Sequence, residues 1–202
     1  MIKVLLFDMN GVLVSNFSND VWDRHASKLE LTNDELRKTF KEYVLWENVN
    51  NNPKTEDFWR IKKGDWKNIK LDDLNNLLRD LHQSEKLDET MIKLLKDLKH
   101  DYKIGVLSNV SGVLKKLLKE KYNFNELVDF PFSSGEIGYA KPDKRIFQHI
   151  LSKTGVSPEE LVFIDDKEVN VLVAKELGIN AIHFLGKKEL ISKLNALGVK
   201  LS

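Results

Sequence analysis

The stretch Ile2-Lys3-Val4-Leu5-Leu6-Phe7-Asp8-Met9-Asn10-Gly11-Val12-Leu13-Val14 decides the fold. Its first half is a nearly continuous apolar run, β-branched in part, that stops abruptly at Asp8-Met9-Asn10-Gly11. A short apolar run bounded by turn residues is the pattern of a strand buried in a parallel sheet. In open α/β sheets ligands bind in the crevice outside the carboxyl ends of the strands. Asp8 is the first polar side chain beyond such an end. Asp followed by Asn-Gly is also an ordinary turn, so on this stretch alone a turn former and a reactive carboxylate are equal readings. The ends of later strands must decide between them.

Outward from Val14, residues 15–87 read as helices only. Ser18-Asn19-Asp20 offers caps to a helix through Trp22, His25, Ala26 and Leu29. Thr32-Asn33-Asp34-Glu35 does the same for Leu36, Phe40, Tyr43 and Val44 at helical spacing. Residues 48–53 form a polar break. A third helix through Phe58, Trp59 and Ile61 ends at Gly64, and Leu71, Leu74, Leu77, Leu78 and Leu81 mark a fourth. All four Trp residues (Trp22, Trp46, Trp59, Trp66) fall here. They are read as the core of a small helical module; the alternative is that one or two line a pocket facing Asp8.

Strand and helix alternate thereafter. The pattern gives a helix over 88–98, a strand over 103–107 ending in Ser108-Asn109, and a helix over 111–120. A strand over 129–132 follows, then Ser133-Ser134-Gly135 and a helix over 143–154. Ser157-Pro158-Glu159-Glu160 is a capped helix start. A strand over 161–164 ends in Asp165-Asp166, and a helix over 169–177, a strand over 181–185 and a helix over 188–197 complete the chain. Such βα alternation implies an α/β fold, a doubly wound parallel sheet with helices on both faces. The expected organisation is an α/β core of residues 1–14 plus 88–202. A helical cap of residues 15–87 is inserted after the first strand, leaving beside Asp8 and able to cover it.

Composition narrows the function classes. The 202 residues carry 32 basic and 31 acidic side chains, a net charge of +1, so no nucleic-acid or membrane partner is expected. The chain has no Cys, which excludes disulfides and thiolate metal sites and fits a cytoplasmic location. No apolar run reaches membrane-spanning length, and the beginning of the chain lacks a leader pattern. Nothing in the sequence reports the oligomeric state.

The strand ends supply the chemistry. The first gives Asp8, the second Ser108 and Asn109, the fourth Asp165 and Asp166. Gly138-Tyr139-Ala140-Lys141-Pro142-Asp143 places Lys141 just ahead of a helix. Three carboxylates in one cleft would repel one another. A divalent cation together with Lys141 removes that difficulty, and carboxylate oxygens suit Mg²⁺. The five His residues do not cluster; His25 lies in the insert, where a structural role is the plainer reading.

The order and spacing resemble the haloacid dehalogenase superfamily in its helical-cap subclass. The resemblance rests on residues 7–13, on Val106-Leu107-Ser108-Asn109, on residues 138–143, and on Phe163-Ile164-Asp165-Asp166-Lys167-Glu168-Val169-Asn170. It implies a phosphatase working through a phosphoaspartate on a small soluble phosphorylated substrate. Asp8 would be the nucleophile. Mg²⁺ would be held by Asp8, the backbone carbonyl of Asn10 and directly by Asp166, with Asp165 acting from the outer sphere or through water. Ser108 and the backbone N–H groups of Met9, Asn10 and Asn109 would bind phosphate. Lys141 would offset charge, and Asn170 behind them would orient Lys141 or a metal ligand.

One position departs from that family pattern. The residue two after the nucleophile is usually an Asp that protonates the leaving oxygen and then activates water. Here it is Asn10, which cannot carry a proton in that role, and losing a positioned acid/base costs ~10²–10⁴-fold in rate. Three accounts stay open: an isosteric replacement of a native Asp, a slow phosphatase with Asn of its own, and a protein that binds a phosphorylated ligand without turnover. A metal-independent 2-haloacid dehalogenase is a fourth. Trp22, Arg24, His25, Trp46, Trp59 and Arg60 are candidates to set substrate specificity from the insert.

Overall fold

The computed structural model describes residues 1–49, 55–62, 69–110, 114–124 and 126–201. The elements in chain order are β1 (Val4–Asp8), α1 (Asn19–Lys28), α2 (Asn33–Val49), α3 (Thr55–Lys62), α4 (Leu71–Ser84), α5 (Glu89–Leu98) and β2 (Lys103–Ser108). Then come α6 (Leu114–Lys116) running into a π turn (Leu117–Lys121), β3 (Phe130–Ser133), α7 (Ser134–Ile137), α8 (Lys144–Thr154) and a 3₁₀ turn (Pro158–Glu160). β4 (Leu161–Asp165), α9 (Glu168–Glu176), β5 (Asn180–His183) and α10 (Lys187–Ala196) complete the chain. The five strands form one parallel sheet in the order β3-β2-β1-β4-β5.

β1 is the central strand and is buried on both faces. Leu5 and Phe7 pack with Met91, Leu94, Leu190 and Leu194 on one side. Val4 and Leu6 pack with Ile146, Phe147, Ile150 and Ala174 on the other. That two-sided burial is why the run reads as apolar without alternation. Strand order reverses at β1, with β2 on one flank and β4 on the other, so Asp8 sits at the switch point where α/β sheets open a crevice. Register then sets what Asp8 meets. Asp8 lies level with Leu107 and Phe7 with Ile164, which puts Ser108 one residue beyond Asp8 on one side and Asp165 level with it on the other. Gly105 lies beside Leu6 on β2; a Cβ there would come within 2.7 Å of the Leu6 Cδ1.

Local signals set the helix ends. The Asp88 side chain accepts from the N–H groups of Thr90 and Met91 and opens α5, and Asp143 caps α8 through Arg145. Two expectations shift. The last strand runs Asn180–His183, not 181–185, because its partner β4 ends at Asp165; the bond from Phe184 N–H to Asp165 O at 2.9 Å is the last available. Ser134 begins the short helix α7, for which the sequence carries no helical pattern, and Gly138 ends it in the left-handed region at φ +83°.

α1 to α4 lie between β1 and α5. Val21, Trp22, Ala26, Leu36, Leu77 and Leu81 make one small core, and Tyr43, Phe58 and Leu74 a second. The chain leaves for these helices and returns from them side by side. Ser15 N–H donates to Lys86 O at 2.7 Å, Lys86 N–H to the Ser15 hydroxyl at 2.9 Å, and Val14 bridges Leu87 antiparallel. α2 continues past Asn48, the first residue of the expected polar break. The rest of that break, Gly64, Trp66 and Ser111 lie outside the described residues. Among the described residues no helix is long and apolar enough to cross a membrane.

Candidate active site

The loop after β1 is a tight turn built on backbone bonds. Met9 C=O accepts from Leu13 and Val14, both at 2.9 Å, and Gly11 N–H donates to Val14 O at 2.7 Å. Gly11 has φ +86°, and a Cβ there would sit 2.3 Å from the Asp166 Oδ2. Glycine is therefore required twice, for the turn and for the approach of Asp166. The turn holds Asp8 buried, with Met9 N–H donating to its Oδ1 at 2.7 Å.

Lys141 joins the strand ends. Its ammonium lies 2.7 Å from Asp8 Oδ1 and 2.7 Å from Asp165 Oδ2, and donates to Leu107 O at 3.1 Å. All three of its protons are thereby used. Asn109 pins the backbone of Lys141 in both directions: Lys141 N–H donates to Asn109 Oδ1 and Asn109 Nδ2 to Lys141 O, each at 2.9 Å. This side-chain role is absent from the sequence expectation, in which only the backbone N–H of Asn109 serves the site. Asn170 Nδ2 donates to both oxygens of Asp165, at 2.9 and 3.0 Å, and so acts on a carboxylate instead of on Lys141. Lys167 N–H adds a bond to Asp165 Oδ1 at 2.8 Å. Ser108, at the end of β2, is buried beside them.

The electrostatics are unbalanced. Burial pushes the Asp8 carboxyl up to about 6, with Asp165 adding to the shift and Lys141 opposing it. Burial also works against the charge on Lys141, but Asp8 and Asp165 outweigh it and raise its pKa. The two shifts agree, because one ammonium faces more than one carboxylate. Asp8, Asp165 and Asp166 each offer an oxygen, and these lie within 4.8 Å of one another. Asp165 is already saturated by hydrogen bonds, whereas Asp166 Oδ1 is buried with no partner among the described residues. An orphaned carboxylate oxygen in a cluster of excess negative charge suits a hard divalent cation. The contacts of Asp8 with Met9 and Lys141 both fall on Oδ1, and Oδ2 takes part in neither.

The Asn10 amide turns to a residue that sequence reading missed. Its Nδ2 donates to Glu85 Oε1 at 2.8 Å, one residue past α4 where the chain returns from the insert. The other oxygen, Oε2, accepts from Tyr122 O–H at 2.8 Å and from the Lys121 ammonium, with His82 Nδ1 at 3.6 Å. Burial pushes Glu85 up, but the facing His82 ring and bonds from Lys121, Asn10 and Tyr122 prevail and hold it at about 2. In sequence, Gln83-Ser84-Glu85-Lys86 is only a polar helix end, and nothing in its periodicity links it to Asn10.

The insert candidates divide differently. Trp22 is buried in the helical core, edge-on to Phe40 at 5.2 Å, and Trp46 packs against Phe58 at 5.2 Å. His25 Nε2 lies 2.9 Å from Asp80 Oδ2, which Arg24 also donates to at 3.0 Å. Trp59 Nε1 donates to Ile69 O, and Arg60 is exposed beside Asp57. Each of these contacts stays inside the insert and none reaches Asp8.

The sequence over residues 2–178 matches the haloacid dehalogenase-like hydrolase family. The chain is 26% identical over 182 residues to the sesquiterpene phosphatase astK of Aspergillus oryzae, covering 90% of this chain and 89% of that protein. It is 24% identical over 185 residues to the D-ribitol-5-phosphate phosphatase of Bacteroides thetaiotaomicron, covering 88% and 89%. A haloacid dehalogenase family enzyme of B. thetaiotaomicron, solved with magnesium and inorganic phosphate, shares the fold at a TM-score of 0.71 and 23% identity, over 90% of this chain and 93% of that one.

Proposed function

The chain belongs to the haloacid dehalogenase-like hydrolases, and we propose that within that family it is a Mg²⁺-dependent phosphomonoester hydrolase acting on a small phosphorylated substrate in the cytoplasm. The observation that carries this reading is the Lys141 ammonium, 2.7 Å from both Asp8 and Asp165 at the switch point of the sheet, beside the orphaned oxygen of Asp166. The phosphatases among its relatives support the same class.

In this reading Asp8 Oδ2 attacks phosphorus while the bond to the leaving oxygen breaks, giving an acyl phosphate on Asp8 that water then hydrolyses. Mg²⁺, when bound by Asp8, the Asn10 carbonyl and Asp166, supplies charge stabilisation to the phosphoryl oxygens and removes the repulsion among the carboxylates. Lys141 offsets charge on the transferring group, and Ser108 with the N–H groups of Met9, Asn10 and Asn109 holds its oxygens. Asp165 anchors Lys141 and is itself aligned by Asn170. Residues 15–87 act as the cap over the crevice.

Asn10 supports a slow turnover, since the departing oxygen lacks an acid at that position. It equally favours a second reading, binding of a phosphorylated ligand without hydrolysis. The orphaned Asp166 oxygen speaks against a metal-independent dehalogenase. The test is phosphate release from an aryl phosphate, with Mg²⁺ and with EDTA, for the parent chain, Asn10→Asp and Asp8→Ala. The expected outcome is slow Mg²⁺-dependent release, raised by Asn10→Asp and reduced to background by Asp8→Ala. Phosphate binding without release in any form would favour the binding reading, and halide release from a 2-haloacid in EDTA the dehalogenase.

A further inference from the structure

Asn10 and Glu85 lie 75 residues apart yet form a bond of normal length between the loop that carries the nucleophile and the point where the insert rejoins the core. The Glu85 side chain is only 4% exposed, and three parts of the chain converge on it. Asn10 comes from the loop after β1, His82 from the end of α4, and Lys121 with Tyr122 from the π turn and the residue after it. Lys121 also donates to His82 O at 2.8 Å, which ties that turn to α4 directly. The two carboxylate oxygens are divided: Oε2 serves Tyr122 and Lys121, and Oε1 serves the Asn10 amide.

We propose that Glu85 is a positioning residue for Asn10, and that the two form a matched donor–acceptor pair which decides whether an acid at position 10 can work. An amide offers N–H₂ to a carboxylate, whereas an ionised carboxylate offers no proton. The site at residue 10 is therefore shaped for a donor facing the insert, not for a proton carrier facing the leaving group. Asn10→Asp alone sets one acceptor against another across a part-buried contact, so it gains only part of the rate that a supported acid at position 10 would give. Glu85→Gln changes the chemistry of the partner, because a glutamine can turn its own N–H₂ toward an acceptor. The two changes together rebuild the bond with donor and acceptor exchanged.

The kinetic part of this proposal rests on the phosphatase reading; the pairing itself does not. The test is a double-mutant cycle on the full chain: parent, Asn10→Asp, Glu85→Gln and the double variant. It is read by aryl phosphate hydrolysis with Mg²⁺ and by thermal unfolding without it. Expected is a kcat for the double variant at least about tenfold above that of Asn10→Asp, a coupling within the range seen for contacting residues. KM should stay within about threefold across the series, because both residues act on the proton-transfer position and not on uniform binding. The unfolding midpoint should fall in Asn10→Asp, and the double variant should lie above the sum of the two single changes, the loss of the Glu85 charge on Lys121 being common to Glu85→Gln and the double. Equal kcat in Asn10→Asp and the double variant, with additive midpoints, overturns the proposal. Coupled midpoints with no hydrolysis by any variant uphold the pair and overturn the phosphatase reading instead. If Asn10→Asp alone fails to fold, a folded double variant upholds the pair and an unfolded one overturns it.

Discussion

Two buried carboxylate clusters flank the loop after β1, and they have opposite electrostatics. At Asp8, several carboxylates share one ammonium, and burial drives the Asp8 carboxyl up to about 6. At Glu85, a single carboxylate collects Asn10, Tyr122, Lys121 and His82, and its pKa falls to about 2. Both are enclosed by protein, so depth alone does not separate them. The ratio of donors to charges does. The Glu85 cluster is complete as it stands and fastens the insert to the core. The Asp8 cluster is short of positive charge, which is the condition of a site that takes up a cation.

The sharpest way to break this contrast is to remove Lys141, the only ammonium among the described residues at the deficient cluster. Lys141→Met leaves Asp8 and Asp165 buried without a cation, and losing one partner of a buried ion pair costs about 3–5 kcal/mol. Urea unfolding of the metal-free protein should register a loss of that size, and saturating Mg²⁺ should restore part of it. An unchanged midpoint would mean that Asp8 and Asp165 do not depend on Lys141.

A smaller effect should follow from pH. Asp8 is raised above its ordinary value of 3.8, so its folded form holds the proton more tightly than the unfolded chain does. Stability from this group is full below pH 3.8 and is lost as pH rises through about 6. Glu85 has the opposite sign: its contribution is present above its ordinary 4.5 and is lost as pH falls through about 2. Because a bound cation needs Asp8 ionised, Mg²⁺ affinity measured by calorimetry should fall about tenfold per pH unit below pH 6. A flat affinity from pH 7 to 5 would remove Asp8 from the ligand set.

The smallest effect belongs to the insert surface. Arg60 is exposed, with its guanidinium 3.9 Å from Asp57 one helical turn away, and such surface pairs contribute about 0–1 kcal/mol. Arg60→Ala should leave kcat/KM for an aryl phosphate within about twofold of the parent, a span of roughly 0.4 kcal/mol. A larger drop would return Arg60 to the specificity candidates.

What was legible in the sequence follows the same division. Buried parallel strands announce themselves, because an unbroken apolar run must end where the sheet ends. Asp8, Ser108 and Asp165 were therefore found from the boundaries of three runs. The central position of β1 followed from no single residue, only from strand order. Glu85 and the Asn109 side chain were invisible for a different reason. They act through long-range hydrogen bonds, one from Asn10 to Glu85 and two between Asn109 and the Lys141 backbone, and such bonds leave no period in the sequence. Of the Trp residues read as the core of the insert, Trp22 is buried in one of its two small cores and Trp46 packs against the other, a division that periodicity alone does not give.

The paired crossing of Ser15 and Lys86 has a further consequence. An insertion whose two ends already touch leaves no gap for the host to span. Its length can change at little cost, because closing a loop grows only logarithmically more expensive with its size. The sheet could therefore carry a longer insert, a shorter one or a different fold altogether at this junction while Asp8 and Lys141 kept their distance. In an architecture of this kind, the inserted helices can evolve as an exchangeable accessory to the sheet that carries Asp8 and Lys141.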